Sequence, residues 1–534
     1  MPRRHVTRPR RRRVPSTPTT ILVTGLTVVA AAMLAAGCTV GPSHRPALIT
    51  EGSASASTSA TSPANSTALP PLETTPPNAI PWTDCTDRTR QRLDTPAPAA
   101  GLTFQCARLP LPLFPTGGVA DGNVRVQLLR VGTGPTPLLV VNDLDGLPGT
   151  LYAARLAGQL PANILQRFSL IGIDRRGTGG SDGVQCIPQD DRSGLVGFNP
   201  TNPDLTNLLS ASTDASDQCV LDLGGRQQAL DTWNTADDLD QIRQQLGINH
   251  LNALGHGEGS RVLTVYADRF PSHVGRFVLD GSPDPARSGV DAASAQAAAA
   301  ESTFTAFATA CVNAGCPLGG DPRGRLSALV TRLDENPVSA ADGLRINGAI
   351  ALRAVLAGLA DRSRWSALTA ALASADNGNV DGLAALIRPM LTGSLYDPAG
   401  LDAMLASGCN DEPTRLAPAQ VTAALKTLNG RYPLFGGLYG DQLLWCAPWP
   451  VISQPLPKPT AAGAPPMLVI STANDPETPQ AGTQQTAQDL VSSELVAWQG
   501  SGHGALGRSA CATSVAQRFL VEGQEPPSMT ACPP

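Results

Sequence analysis

Short apolar runs, each closed by turn residues, recur along the chain from residue 82 onward. "NVRVQLLRV" (123–131) alternates apolar and polar positions, the period of a half-buried strand. "PLLVV" (137–141), "FSLIGID" (168–174), "HLNALG" (250–255), "RFVLDG" (276–281), "MLVIST" (467–472) and "SELVAW" (493–498) are too short for helices and predict buried strands. Helical patterns lie between several of them, such as "TADDLDQIRQQLG" (235–247). Strands alternating with helices predict an α/β fold with a mostly parallel sheet covered on both faces. The alternation stops near residue 285. From 286 to 446 the chain is alanine-rich, with apolar faces such as Leu326, Leu329, Val330 and Leu333 at helical spacing, and no convincing strand. A helical block inserted between strands of one sheet reads as a cap over the strand ends.

The N-terminal 81 residues follow a different logic. Residues 1–20 carry seven arginines and no acid, and residues 21–37 are an apolar run ending in small residues before Cys38. This is the layout of a secretory signal, and a 17-residue run is short for a membrane span. A cysteine directly after "LAAG" resembles a bacterial lipobox, which makes Cys38 the expected lipidation site and the protein an exported lipoprotein on the outer face of the cell membrane. Residues 38–81 are rich in Ser, Thr, Ala and Pro without apolar periodicity and predict a flexible tether. The expected organisation is therefore signal 1–37, tether 38–81, core 82–285, helical cap 286–446, and the rest of the core 447–534.

Charge and cysteine content narrow the function classes. Without the seven N-terminal arginines the net charge falls from −5 to −12, which argues against nucleic acid as a partner. Apart from Cys38 there are ten cysteines, at 85, 106, 186, 219, 311, 316, 409, 446, 511 and 532. An even number in an exported chain suggests disulfides; five sequential pairs would each close a local loop, though spacing alone does not fix the connectivity. No pair has C-x-x-C spacing and there are only six histidines, so no metal and no cofactor is expected.

The chemistry centres on "LGHGEGSRVLTVYADRFP" (254–271). A strand, a glycine-rich turn and an amphipathic helix are the surroundings of a nucleophile elbow, G-x-S-x-G, but here the turn reads Gly255-His256-Gly257-Glu258-Gly259. Asp475 and His503 each follow a predicted strand, so position 257, Asp475 and His503 keep the order nucleophile, acid, histidine. The histidine would move the proton and the aspartate would orient and charge-stabilise it, yet a glycine offers no atom to acylate. Ser260 lies a helical turn away and should not reach His503. The loop that should supply an oxyanion donor contains Asp143, Leu144, Asp145 and Gly146, and a carboxylate opposes a developing oxyanion. Glu258 reads as a polar residue opening a helix. "DRRGTGGSD" has the look of a phosphate loop but lacks its lysine.

Taken together, "IGIDRRGTGGSDGVQC", "NTADDLDQIRQQLGINHLNALGHGEG", "FVLDGSPDP", "CVNAGCPL", "GCNDEP", "CAPWP", "NDPETP" and "GSGHG" resemble, in order, the blocks of the actinobacterial tripeptidyl-aminopeptidase-like serine hydrolases over residues 82–534. The resemblance implies an α/β-hydrolase fold with a helical cap, Asp475 and His503 at the acid and base positions, and Gly257 at the nucleophile position. The chain departs from the family where serine is missing at 257 and where a Gly-Gly-Pro-Gly type loop is replaced by residues 143–146. Three readings follow: a catalytically impaired member that binds a peptide or small apolar ligand in a capped pocket, an active hydrolase using His503 and Asp475 without serine, and an envelope protein whose pocket is closed.

Overall fold

The computed structural model describes residues 68–93, 101–115, 122–144, 146–285, 287–394, 397–450 and 455–534. The signal, Cys38, most of the tether and Asp145 lie outside the described residues. The strands, in chain order, are β1 (Thr83–Asp84), β2 (Phe104–Pro112), β3 (Asn123–Val131), β4 (Thr136–Val141), β5 (Phe168–Ile173), β6 (Leu251–His256), β7 (Val274–Asp280), β8 (Val338–Ser339), β9 (Arg345–Ile346), β10 (Met467–Asn474), β11 (Ser493–Ser501) and β12 (Thr530–Cys532). Ten of them form one sheet in the order β1-β2-β3-β5-β4-β6-β7-β10-β11-β12. The pairs β1–β2, β2–β3 and β3–β5 are antiparallel, and every pair from β5 to β12 is parallel. The sheet is thus mostly parallel, as the alternation of strands and helices predicts, and its order is that of the α/β-hydrolase fold implied by the family resemblance.

The apolar runs read as buried strands because both faces of the sheet are covered. In β4, Leu139 and Val141 pack with Ile171, Ala253 and Val469 on one face, beneath the helices Thr232–Gln245 and Glu258–Arg269. Leu138 and Val140 point to the opposite face, against the helices Gly149–Ala157 and Ala510–Gln517. Successive side chains thus enter two separate cores, and no polar position interrupts the run.

A third apolar cluster sits in the helical layer. It contains the inserted helices from Gly289–Asn313 to Gly436–Gln442, and it also takes in Gln189–Val196 and Thr206–Leu223, which come before the insertion in sequence. Arg353 on the helix Gly348–Leu359 is buried against Asp441 and lies over the Trp445 ring. One feature of the inserted block departs from expectation: β8 and β9 pair as a two-residue antiparallel hairpin, too short to leave an alternation signal.

The tether boundary also changes. Residues 68–81, read above as the end of the tether, lie against the domain. The Glu73 carboxylate accepts hydrogen bonds from the backbone N–H groups of Asn249 and His250, at 2.8 Å and 3.0 Å. Ile80 is buried in the core, and Leu69 and Leu72 pack against the other face. This segment is anchored by a few contacts spread among prolines, with no regular period to announce it.

The ten cysteines pair in sequence order: Cys85–Cys106, Cys186–Cys219, Cys311–Cys316, Cys409–Cys446 and Cys511–Cys532. Among the described residues, no helix is long and apolar enough to cross a membrane. "DRRGTGGSD" is a structural turn. The Asp174 carboxylate accepts from the N–H groups of Thr150 and Gly180, both at 2.8 Å. Arg176, fully buried, binds both oxygens of Asp238 and the carbonyls of Leu113 and Ala229. The Asp174 carboxylate and the Arg176 guanidinium are thus turned inward and used up in holding the turn.

Candidate active site

The carboxyl ends of β4, β6, β10 and β11 converge beneath the helical cap, where ligands bind in open α/β sheets. Gly257 stands between β6 and the helix Glu258–Arg269 with φ +54° and ψ −121°. Glycine takes this positive φ with little strain. The helix packs close enough to β4 that a Cβ on Gly259 would lie 2.1 Å from the Val141 carbonyl oxygen. Strand, sharp turn and tightly packed helix make this an elbow by geometry. Ser260 is fully buried and its Oγ donates to the Gly255 carbonyl at 3.0 Å, so it faces into the fold as expected.

Asp475, in the turn after β10, is held from several sides. Its carboxylate accepts from the N–H groups of Glu477 and Thr478, both at 2.9 Å, from the Thr478 hydroxyl at 2.8 Å, and from the Gly504 N–H at 3.2 Å. His503 follows β11, and its backbone N–H donates to the Ala360 carbonyl at 2.7 Å, which ties the histidine loop to the cap. The His503 Nδ1 lies 3.0 Å and 3.1 Å from the two Asp475 oxygens. The acid and base positions named from the sequence therefore do meet.

Asp143 stands at their centre. β4 delivers it to the strand end, and the bond from the Asn142 side-chain amide to the Leu147 carbonyl, 2.8 Å, fastens the loop. Asp143 Oδ1 accepts the Glu258 backbone N–H at 2.6 Å, and Oδ2 lies 3.0 Å from His503 Nε2. The N–H of the residue after the nucleophile position is the one an oxyanion would use. A Cβ added to Gly257 would lie 2.0 Å from Asp143 Oδ1 and 2.6 Å from Oδ2. The Asp143 carboxylate thus fills the space into which a side chain at 257 would project. In the sequence the missing serine and the acidic loop stand as two separate departures, whereas in space they are one exchange. Leu144 and Gly146 line the adjoining cavity.

His256, the last residue of β6, completes the cluster. Its ring stacks on Tyr152 at 4.6 Å and lies 4.3 Å from the His503 ring. Its Nε2 is 3.7 Å from Asp143 Oδ2, and its Nδ1 has no hydrogen-bond partner, with Asp280 Oδ2 at 3.8 Å. Sequence reading passes over His256 because nothing in the spacing of residues 143, 256 and 503 links them. The one available signal is that His256 touches the altered position.

Burial opposes charge throughout this cluster, and the neighbours decide the outcome. Burial pulls the His503 imidazole down, but the carboxylates of Asp475 and Asp143 outweigh it and hold the pKa well above the ordinary histidine value. Burial pushes Asp143 up, yet the His503 and His256 rings and the Glu258 N–H bring it down to about 2. His256 is lowered, by burial first and then by the charge on His503. Asp475 is lowered as well, with His503 overcoming the cost of burial. The two carboxylates thus favour the imidazolium form of His503 in the free protein. A histidine in that state has no lone pair with which to accept a proton.

A cavity of about 1270 Å³ opens over this cluster, between the strand ends and the cap. Asp143, His256, Glu258 and His503 lie on its floor, while Leu356, Leu386 and Met404 come from the cap. An open space of this size sets aside the reading in which cap side chains close the pocket.

Comparison with known proteins finds relatives of this chain. The family described as TAP-like protein matches residues 432–532, the stretch that carries Asp475 and His503. The chain is 30% identical over 459 residues to carboxylesterase B of Mycobacterium tuberculosis, covering 81% of this chain and 87% of that protein. It is 28% identical to the serine protease Hip1 of Mycobacterium tuberculosis over 482 residues, covering 85% and 91% respectively. With the tripeptidyl aminopeptidase of Streptomyces lividans it shares 25% over 408 residues, covering 73% and 75%.

Proposed function

We propose that this chain, which belongs to the TAP-like family of α/β-hydrolases, is an exported, lipid-anchored member in which the serine acyl-enzyme route is closed. The observation that carries the reading is the position of the Asp143 carboxylate. It takes the Glu258 N–H and fills the space in front of Gly257. A substrate carbonyl thus meets no hydroxyl to attack it and a negative charge where its oxyanion would form. Losing a single oxyanion donor typically costs about 3–4 kcal/mol of transition-state stabilisation, and here the nucleophile is absent too. The cap and the cavity beneath it suit a binding role, with a peptide or small apolar ligand held above the sheet.

Export and anchoring rest on the N-terminal pattern ending at Cys38, and five disulfides suit an oxidising compartment. Cys38→Ser is expected to release the protein from the membrane fraction, and a protein that stays membrane-bound after this change removes the anchor from the reading.

The chemical test treats the purified protein, after dialysis against EDTA, with a fluorophosphonate probe and with peptide amides and esters. The expected result is no label at the elbow and no turnover above background. Ester or amide turnover that vanishes in His503→Ala would overturn the impaired reading. It would support the alternative, an active hydrolase using His503 and Asp475 without serine, which the intact His503–Asp475 hydrogen bond and the open cavity favour.

A further inference from the structure

We propose that Asp143, His256 and His503 form a binding site for one divalent transition-metal ion of the zinc class. The site does not depend on how the serine route is read, because it rests on the donor atoms themselves. One donor atom from each of the three residues lies within 4.8 Å of the other two. Asp143 Oδ2 is 3.0 Å from His503 Nε2 and 3.7 Å from His256 Nε2. Donors bound at 2.0–2.1 Å around a tetrahedral zinc ion stand roughly 3.3 Å apart, so the two separations already bracket the required spacing. Two imidazoles and one carboxylate suit zinc, iron, nickel or copper, and are a poor set for magnesium or calcium, which take oxygen.

The groups behind the three donors are those a metal site needs. Histidines that bind a metal almost always give their other ring N–H to a carboxylate or carbonyl. His503 Nδ1 has Asp475 at 3.0 Å. His256 Nδ1 faces Asp280, whose two oxygens are fixed by the N–H groups of Ala505 at 2.8 Å and Leu506 at 3.0 Å. Asp143 is steadied through its other oxygen by the Glu258 N–H.

His256 supplies a second, independent observation. It is 4% exposed, its Nδ1 has no hydrogen-bond partner, and its Nε2 stops 3.7 Å from the Asp143 carboxylate. Buried polar atoms in folded proteins are almost always paired. A cation drawing in Nε2 satisfies one side of the ring, and a small shift brings Nδ1–H onto Asp280. Gly257 fits the same account, because any side chain there would displace the carboxylate. Asp143, His256 and His503 all line the cavity, so an ion held by them would be open to it.

The test uses the untagged full chain, freed of metal by EDTA and titrated with Zn²⁺ alone by calorimetry, with metal content checked by mass spectrometry. The expected result is one Zn²⁺ per chain, held by three side chains with a water in the fourth position. Asp475→Asn, behind His503, is expected to weaken binding about 10–100-fold. His256→Gln and Asp143→Asn should weaken it at least as much. No binding at 100 µM Zn²⁺, or binding that these variants leave unchanged, overturns the proposal. Should the variants fail to fold, X-ray absorption on the zinc-loaded parent decides. Two imidazoles and a carboxylate in the first coordination sphere support the site, and any other donor set overturns it. Fluorophosphonate labelling is done without metal, so this result and the labelling result fail separately.

Discussion

Gly257→Ser alone leaves the elbow unlabelled by a fluorophosphonate, while Gly257→Ser combined with Asp143→Gly gains the label. The first half of this result follows from space. A Cβ at 257 falls 2.0 Å from Asp143 Oδ1, so the new side chain and the carboxylate cannot occupy their present positions together. A non-glycine residue at φ +54° adds backbone strain of about 1–3 kcal/mol. The single variant should therefore melt several degrees below the parent as well as stay inert. Removing the Asp143 carboxylate clears the collision, frees the Glu258 N–H and takes one of two negative partners from His503. His503 can then give up its proton more readily, which is what a serine–histidine pair needs. Intact-mass analysis of the probe adduct reads the outcome. Labelling of the single variant at the rate of the double variant would mean that Asp143 swings aside freely and does not guard the position.

The second large effect concerns stability. Arg176→Ala is expected to destabilise the fold by about 3–5 kcal/mol, because it strands a buried carboxylate. The Arg176 and Asp238 side chains are 1% and 0% exposed, and the guanidinium also satisfies two backbone carbonyls. Arg176→Met with Asp238→Leu should recover much of the loss, since a buried ion pair replaced by apolar groups of similar size is often nearly neutral. The pH dependence gives an internal check. Burial already raises the Asp238 pKa despite its arginine, and without Arg176 the folded protein gains more by binding a proton there. With the folded pKa above the unfolded one, the variant's deficit should shrink as pH falls from 8 towards 5. Denaturant midpoints across that range measure it. A deficit of less than about 1 kcal/mol that does not change with pH would mean the site relaxes or fills with water.

The parts of the fold legible in the sequence are those where one physical signal dominates. β4 to β7, β10 and β11 are apolar because both sheet faces are covered, and turn residues close them. β2 escapes notice because Pro110 and Pro112 argue against a strand. The two prolines are tolerated because they share one side of the strand, and β1 pairs only with Gln105 and Cys106, so that among the described residues no strand pairs with the outer edge beyond. The helices Gln189–Val196 and Thr206–Leu223 precede the inserted block, and nothing local says that their apolar faces belong to the cap. The same division holds at the site. Asp475, His503 and the vacant nucleophile position follow from strand–turn order. The contact between Asp143 and Gly257, and the place of His256 beside it, depend on how two neighbouring strands end, which no local pattern encodes.

Among the described residues, the ten cysteines pair consecutively, first with second, third with fourth and so on to the last. A polypeptide emerging N-terminus first can therefore close every bridge as soon as its second thiol appears, before any later cysteine is available to compete. No correct pairing has to wait for a distant partner, and none has to be undone to let a later one form. Oxidation in this order needs an oxidant but no reshuffling, so the protein's yield in an oxidising compartment should be insensitive to loss of a disulfide isomerase.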